Sequence, residues 1–289
     1  MQACSINGVL CTSENAHIPV NDHGFLYGDG VFEGLRFYNG RILKRGAHLQ
    51  RLKNSARALS IPMPMETGAL NVALDQLIEA SNCRDGYIRL IVTRGPGPLG
   101  IDPRHCKAGN VVMIADQLSM VSDCVREQGA RLIIASTRRL AGDQLDARIK
   151  SLNYLNQIMA RLEANDAGAD EAVVLNRAGY VAEGTADNLF IVQSGKIITP
   201  PVTDGALEGI TRGILAELAG TLDIPFLEKS ITPYDIYVAD ECFLSGTGAE
   251  LIPVREVSGR KILQSPGPVY LALKQAFTSA LDDSRFFDD

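Results

Sequence analysis

The chain has 289 residues, 46% hydrophobic and 21% charged, a globular composition with room for two domains or one large one. A formal net charge of −6 without any Lys/Arg run excludes a basic footprint for nucleic acid, and no segment has the uninterrupted apolar length of a membrane span. Six cysteines without a Cys-x-x-Cys pair, and four histidines without ligand spacing, point to reduced thiols in a cytoplasmic protein and away from metal chemistry. The opening "MQACSINGVLCTSENAHIPVND" also lacks the basic and then apolar regions of a secretory signal.

In chain order, "SINGVL" and "GRILKR" predict short strands with turn glycines. Between them, "GFLYGDGVFEGLRFYNG" is too punctuated by glycine for a regular helix. Leu49, Leu52, Ala56 and Leu59 recur at helical spacing over 47–60, and Leu70, Leu74, Leu77 and Ile78 predict a second helix over 66–81. "GYIRLIVTRG" and "GNVVMIADQL" are strands. The weakly periodic "LSMVSDCVREQ", residues 118–128, reads as a linker between a small N-terminal α/β domain over 1–117 and a larger one over 129–289.

The second half opens with the strand "ARLIIAST". A helix is expected over 152–166, with Leu152, Leu155, Met159 and Leu162 as its buried stripe and Ser151 as its N-cap. Lys150 then lies just outside that helix, on the connecting loop. "NRAG" and "QSGK" are hairpin turns, "GITRGILAELAG" is a helix entered at Gly209 and left at Gly220, and "ECFLSGTGAELIPV" is strand, turn and strand. Mixed elements with many hairpins favour an α+β architecture over a doubly wound sheet.

Gly95-Pro-Gly97-Pro-Leu-Gly100 formally matches a dinucleotide fingerprint, but its prolines and the missing helix after it remove the phosphate-binding helix start. It reads instead as a surface loop, and 95–103 is the candidate for a mobile segment over a substrate.

Four other features converge. An amine held in a core near positive charge, as Lys150 would be at the mouth of its helix, is a nucleophile for carbonyls; the plain alternative is a solvated loop lysine. Glu183 in "EGTADNLF" is either an edge-strand charge or a carboxylate able to hold a protonated ring nitrogen. "LEGITRG" opens a helix at Ile210 and Thr211, a ready phosphate site that is also an ordinary cap. "SGTGAE" lets Thr247 and the backbone approach a ligand closely, and a tight turn is the alternative. Arg51 is either a phosphate clamp or a solvent-facing cation. Together with Tyr154, these residues make up the inventory that holds pyridoxal 5'-phosphate.

At this point the chain resembles the fold-type IV pyridoxal-phosphate enzymes, and among them the branched-chain amino-acid aminotransferases. The most specific piece is the long signature Glu183-Gly-Thr-Ala-Asp-Asn188-Leu-Phe190, Ile197-Ile-Thr199 and Leu207-Glu-Gly209-Ile210-Thr-Arg212, with all its spacings met. "YGDGVFEGLRFYNGRI", "HLQRLKNSA", "KSLNYLN" and "SGTGAELIPV" stand as further family blocks in the family's order.

The resemblance implies a two-domain α+β fold like that of D-amino-acid aminotransferase, with the cofactor between the domains. It further implies a homodimer or higher homo-oligomer, and a Schiff-base lysine, Lys150, in the C-terminal domain. It implies that Tyr154 bonds the ring oxygen, Glu183 the pyridinium nitrogen, and that Leu207 covers the ring. Arg51, Ile210, Thr211 and Thr247 would bind the phosphate. Phe32, Arg36, Tyr87 and Arg89 would line the substrate pocket, with the Thr247–Gly248 turn near the carboxylate. Leu90 and Gly248 stand where branched-chain enzymes commonly have proline and alanine, departures that bear on the substrate.

The activity implied is transfer of the amino group of leucine, isoleucine and valine to 2-oxoglutarate, through a Lys150 aldimine. Its partners are then small amino acids and 2-oxo acids. Alternatives on the same fold are a D-amino-acid transaminase, an (R)-amine transaminase, an aminodeoxychorismate-lyase-like enzyme and a non-catalytic ligand-binding relative. The first of these carries Arg-x-His after the strand, whereas Arg104 and His105 are adjacent here.

Overall fold

The chain folds as two units, each built on an apolar core, in a computed structural model that describes residues 3–117 and 121–287. The first unit groups Met1–Leu118 with Ile149–Asn153 and Asp283–Asp289, and the second groups Ser119–Arg148 with Tyr154–Asp282. Lys150 therefore belongs to the first unit, not to the C-terminal one where it was expected. The reason is local: the backbone around it pairs with a strand of the first unit.

The first unit contains, in order, β1 (Ala3–Ile6), β2 (Val9–Thr12), α1 (His23–Tyr27), β3 (Gly30–Tyr38), β4 (Arg41–Ile42), α2 (Arg45–Ala58), α3 (Thr67–Ser81), β5 (Gly86–Thr93) and β6 (Val111–Asp116). Its six strands form one antiparallel sheet in the order β2-β1-β6-β5-β3-β4. Side chains alternate across a strand. Val31, Leu35 and Phe37 of β3 and Ile88, Leu90 and Val92 of β5 share a core with Leu49, Leu52 and Ala56 of α2 and Leu70, Leu74 and Leu77 of α3. The opposite parity sets Phe32, Gly34, Arg36, Tyr87 and Arg89 on the other face, in the register Gly34 to Arg89 and Arg36 to Tyr87. β3 survives its glycines because Gly34 is needed: a Cβ there would run into the Tyr87 ring.

The Gly-Pro loop after β5 is tied down rather than loose. Asp22 accepts from Gly24 N, Thr93 Oγ1 and Asn110 Nδ2, each at 2.7 Å, and so fixes α1 beside the strand ends. From that base Asn21 Nδ2 donates to Gly97 O (3.0 Å), the His23 ring bonds Pro98 O (3.0 Å), and Gly100 N donates to the Tyr27 hydroxyl (2.8 Å). Leu99 and Ile101, near the tip, stand exposed.

The second unit contains α4 (Asp123–Gln128), β7 (Ala130–Arg138), α5 (Gly142–Leu145), α6 (Leu155–Asp166), β8 (Glu171–Leu175), β9 (Val181–Glu183), β10 (Asn188–Gln193) and β11 (Lys196–Thr199). It continues with α7 (Ile210–Thr221), β12 (Phe226–Glu228), α8 (Pro233–Tyr237), β13 (Glu241–Gly246), β14 (Glu250–Val257), β15 (Arg260–Lys261) and α9 (Pro268–Ala280). The sheet runs β12-β11-β10-β13-β14-β7-β8-β9, with β15 on β14. β7 pairs parallel with both β14 and β8, so this sheet is mixed. Phe190 and Phe243 stack at 4.9 Å in its interior. The buried Glu241 caps α9 from a distance by accepting from Val269 N and Tyr270 N at 2.9 and 2.8 Å.

Two expectations are corrected here. Of the linker expected over 118–128, residues 118–120 lie outside the described residues, and Asp123–Gln128 is helix, capped by Ser122 through Val125 N at 3.4 Å. Val125 packs on the second core, which makes the segment part of that unit. The helix expected over 152–166 begins at Leu155, and Ser151 bridges to Val31 instead of capping it. Its expected stripe is also turned outward: Leu155 is 75% exposed, and Ile158, Met159 and Leu162 are exposed with it. The buried side is small, Ala160 and Ala164 against Ala135, Ala172 and Val174, because alanine allows the helix to approach β7 and β8 closely.

Glu163 of α6 mends a slip in the β7–β8 register between Ile134 and Arg138. Its carboxylate accepts from Ser136 N (2.5 Å), Thr137 N (2.9 Å) and Thr137 Oγ1 (2.6 Å). Burial pushes its pKa up, yet these hydrogen bonds outweigh burial and bring it from 4.5 to about 2. A depressed carboxylate stabilises fully above its unfolded pKa and loses that contribution as pH falls through the folded one. Denaturant melts of Glu163→Gln are therefore expected to lose less stability than wild type between pH 4.5 and about 2.

Candidate active site

Phe32, Arg36, Arg51, Tyr87, Arg89 and Lys150 lie in the first unit. Tyr154, Glu183, Leu207, Ile210, Thr211, Thr247 and Gly248 lie in the second.

In the first unit, residues 150–152 run as a short antiparallel addition to the start of β3. Phe32 N donates to Lys150 O and Leu152 N to Gly30 O, both at 2.9 Å, around a Val31–Ser151 bridge. Ser55 of α2 accepts from Lys150 N at 3.1 Å. The lysine backbone is thus fixed from two sides, and its partly buried side chain sets Nζ 4.5 Å from the Phe32 ring centroid. The Arg89 guanidinium lies 4.4 Å from the same ring and 5.7 Å from Tyr87. Two cations thus share the Phe32 ring, and cation–π contact partly offsets their repulsion.

The four residues expected for the substrate are brought together on one face of the β3–β5 pair. Leu90 is not among them. It points to the opposite face, fully buried in the core, so its departure from proline concerns packing and not that face.

Arg51 is no solvent-facing cation. Its Nε and Nη2 donate to the two oxygens of Glu33 at 2.7 and 2.8 Å, and His48 Nδ1 meets Glu33 Oε2 at 2.8 Å. Glu33 is wholly buried. Burial alone would raise its pKa, but the Arg51 charge, then its hydrogen bond and that of His48, hold the carboxyl at about 2. Burial, chiefly, pushes the His48 pKa down against the pull of Glu33. The result is a carboxylate paired with a guanidinium and backed by a neutral imidazole.

In the second unit Glu183 ends β9 as a buried carboxylate. Arg139 Nη2 donates to its Oε1, while Asn188 Nδ2 (3.2 Å) and Leu207 N (2.9 Å) donate to its Oε2. Arg139 Nε is spoken for by Gly205 O (2.8 Å), and Asn188 Nδ2 also reaches Leu207 O (3.0 Å). One knot therefore joins the acid to the 205–209 turn that starts α7. Gly209 is required in that turn, because a Cβ would strike the Asn188 amide oxygen. α7 carries no side-chain cap at Gly209, and Thr211 is buried in its first turn. The first backbone N–H groups of α7 therefore receive no side-chain cap from the residue that opens it. Tyr154 is the residue just before α6 and lies at its N-cap, because the helix begins at Leu155 and not at 152 as expected. Thr247 and Gly248 form the turn that joins β13 to β14.

Sequence reasoning missed Glu33, His48, Ser55 and Arg139. Glu33 left a trace: it sits at the apolar parity of β3, where a carboxylate demands a cation, and His48 and Arg51 recur at i, i+3 on α2. Arg139 left none, since its partner is 44 residues away. Among the described residues no group of three or more His, Cys, Asp or Glu is arranged to hold a metal ion, and no helix is long and apolar enough to cross a membrane.

A family model described as amino-transferase class IV matches residues 30–257. The chain is 43% identical over 273 residues to a putative branched-chain-amino-acid aminotransferase of Methanocaldococcus jannaschii, covering 94% of each. It is 34% identical over 278 residues to the branched-chain-amino-acid aminotransferase of Escherichia coli K12, covering 94% of this chain and 90% of that one. The solved branched-chain amino acid aminotransferase of Thermobaculum terrenum, in its PLP-form, superposes with a TM-score of 0.88 at 28% identity, over 98% of this chain and 95% of that one.

Proposed function

This chain belongs to the class IV aminotransferases, and we propose that it moves the amino group of L-leucine, L-isoleucine and L-valine to 2-oxoglutarate with pyridoxal 5'-phosphate as cofactor. The reading rests above all on the Glu183 knot. It joins a buried, charge-balanced carboxylate and an uncapped helix start through one short turn. Those are the two ends that a pyridine nitrogen and a phosphate on one ring require, so the residues fit the group. When bound, the cofactor supplies an aldehyde for the amino group and a ring that withdraws electrons from it.

In the first unit, Lys150 Nζ is the base that takes the substrate α-proton and the acid that returns it. Arg51 binds the phosphate. In the second, Glu183 keeps the ring nitrogen protonated, Tyr154 bonds the ring oxygen, and Leu207 covers a ring face. Ile210, Thr211 and Thr247 give phosphate donors. Phe32 and Tyr87 offer apolar surface to a branched side chain, while Arg36, Arg89 and the Thr247–Gly248 turn serve carboxylates.

We further propose a cytoplasmic homodimer or higher homo-oligomer, in which a second copy covers the outward stripe of α6, Leu155, Ile158, Met159 and Leu162. A D-amino-acid transaminase is disfavoured by Arg104, whose guanidinium is exposed and held by Asp102 of its own loop at 2.5 Å. With 2-oxoglutarate as acceptor, kcat/KM is expected to be highest for L-leucine, ahead of D-alanine and (R)-1-phenylethylamine. A higher value for either of the last two would overturn the donor assignment.

A further inference from the structure

Glu33 is a wholly buried carboxylate on the apolar parity of β3, where Val31 and Leu35 flank it in the core. A buried ion pair is weak ground for stability, since apolar residues of similar volume commonly serve as well or better. What the carboxylate does that a leucine would not is orient a planar fork. It engages Arg51 through Nε and Nη2, so two of the five guanidinium donors fix the plane of the group. His48 closes the other side. Ionised Glu33 only accepts, so the ring nitrogen 2.8 Å from Oε2 is the donor. The same helix, α2, carries Ser55 one turn beyond Arg51, and Ser55 holds the Lys150 backbone. Aim on α2 is therefore shared by the fork and the amine.

We propose that Glu33, braced by His48, is the positioning residue that aims the Arg51 guanidinium at a phosphate dianion. The inference rests on the assignment of Arg51 to the cofactor phosphate made above. The Glu33–Arg51 pair is formally neutral, so net charge gives a phosphate little reason to bind there. Orientation carries the affinity: an arginine held in one plane meets two phosphate oxygens without first losing side-chain freedom.

The test compares two ligands that differ only in the phosphate. Pyridoxal 5'-phosphate and pyridoxal are titrated by absorbance onto wild type, Glu33→Gln, Glu33→Asp, His48→Leu and Arg51→Ala. Wild type is expected to prefer the phosphorylated ligand, and Glu33→Gln to weaken that ligand about tenfold or more, the scale of a hydrogen bond to a charged group. Pyridoxal should be nearly unaffected, and Glu33→Asp should recover part of the preference. His48→Leu is expected to shift the preference in the same sense by a smaller factor, and it carries the test if Glu33→Gln does not fold. A merely structural role for Glu33 would weaken both ligands alike. Equal weakening, or no change for the phosphorylated ligand, overturns the proposal. If Arg51→Ala keeps the wild-type preference, the phosphate assignment of Arg51 itself falls, a failure distinct from that of Glu33.

Discussion

Replacing Lys150 by alanine is expected to slow transamination by about 10²–10⁴-fold or more, the range a positioned acid–base group is worth. The fold should survive the change. The bonds that fix this residue, from its N to Ser55 and to its O from Phe32, belong to the backbone and remain in the variant. What is lost is an amine placed 4.5 Å from the Phe32 ring centroid, beside a second cation. Steady-state rates and thermal melts together check this: a collapsed rate with a melting temperature close to wild type. Partial recovery by added small primary amines would identify the missing group as the amine. A variant that keeps most of its rate would remove Lys150 from the chemistry.

Glu183 is expected to be the most sensitive acidic position for both stability and rate. Glu183→Ala leaves Arg139 as a buried guanidinium without its carboxylate, and breaking a buried pair by removing one partner costs about 3–5 kcal/mol. It also removes the acceptor for Leu207 N and Asn188 Nδ2, which loosens the turn into α7. Glu183→Gln keeps much of the shape but not the charge, so its rate should fall with a smaller loss of stability. The double variant Glu183→Ala, Arg139→Met separates the two effects. It should regain stability, because no charge is left uncompensated, while its rate stays low. Urea melts and kcat on wild type, Glu183→Ala, Arg139→Met and the double variant, read as a double-mutant cycle, make the comparison. If the double variant regained rate along with stability, Glu183 would be structural only.

The sequence made local periodicity legible and left distant pairing hidden. α2 and α3 are found within two residues of their expected ends, because Leu49, Leu52 and Leu70, Leu74, Leu77 all face one core. The stripe of α6 has the same periodicity and faces away, since periodicity marks an apolar face without saying what covers it. Alanines on the opposite side decided the packing, and small residues give no hydrophobic signal. Lys150 was legible as chemistry but not as topology: a bridge from Ser151 to Val31 joins it to β3 across more than a hundred residues. Likewise the Glu183 signature could be quoted whole, yet its counter-ion Arg139 and the Glu33–His48–Arg51 cluster depend on contacts that only the fold brings together.

The most direct test of the whole account is one absorbance titration of the purified chain. Pyridoxal 5'-phosphate is added first, then L-leucine, then 2-oxoglutarate. Wild type is expected to acquire a visible band on binding the cofactor, to lose it with L-leucine and to regain it with 2-oxoglutarate. A chain that stays colourless, or a band that L-leucine leaves untouched, would contradict the assignment of this protein as a branched-chain transaminase.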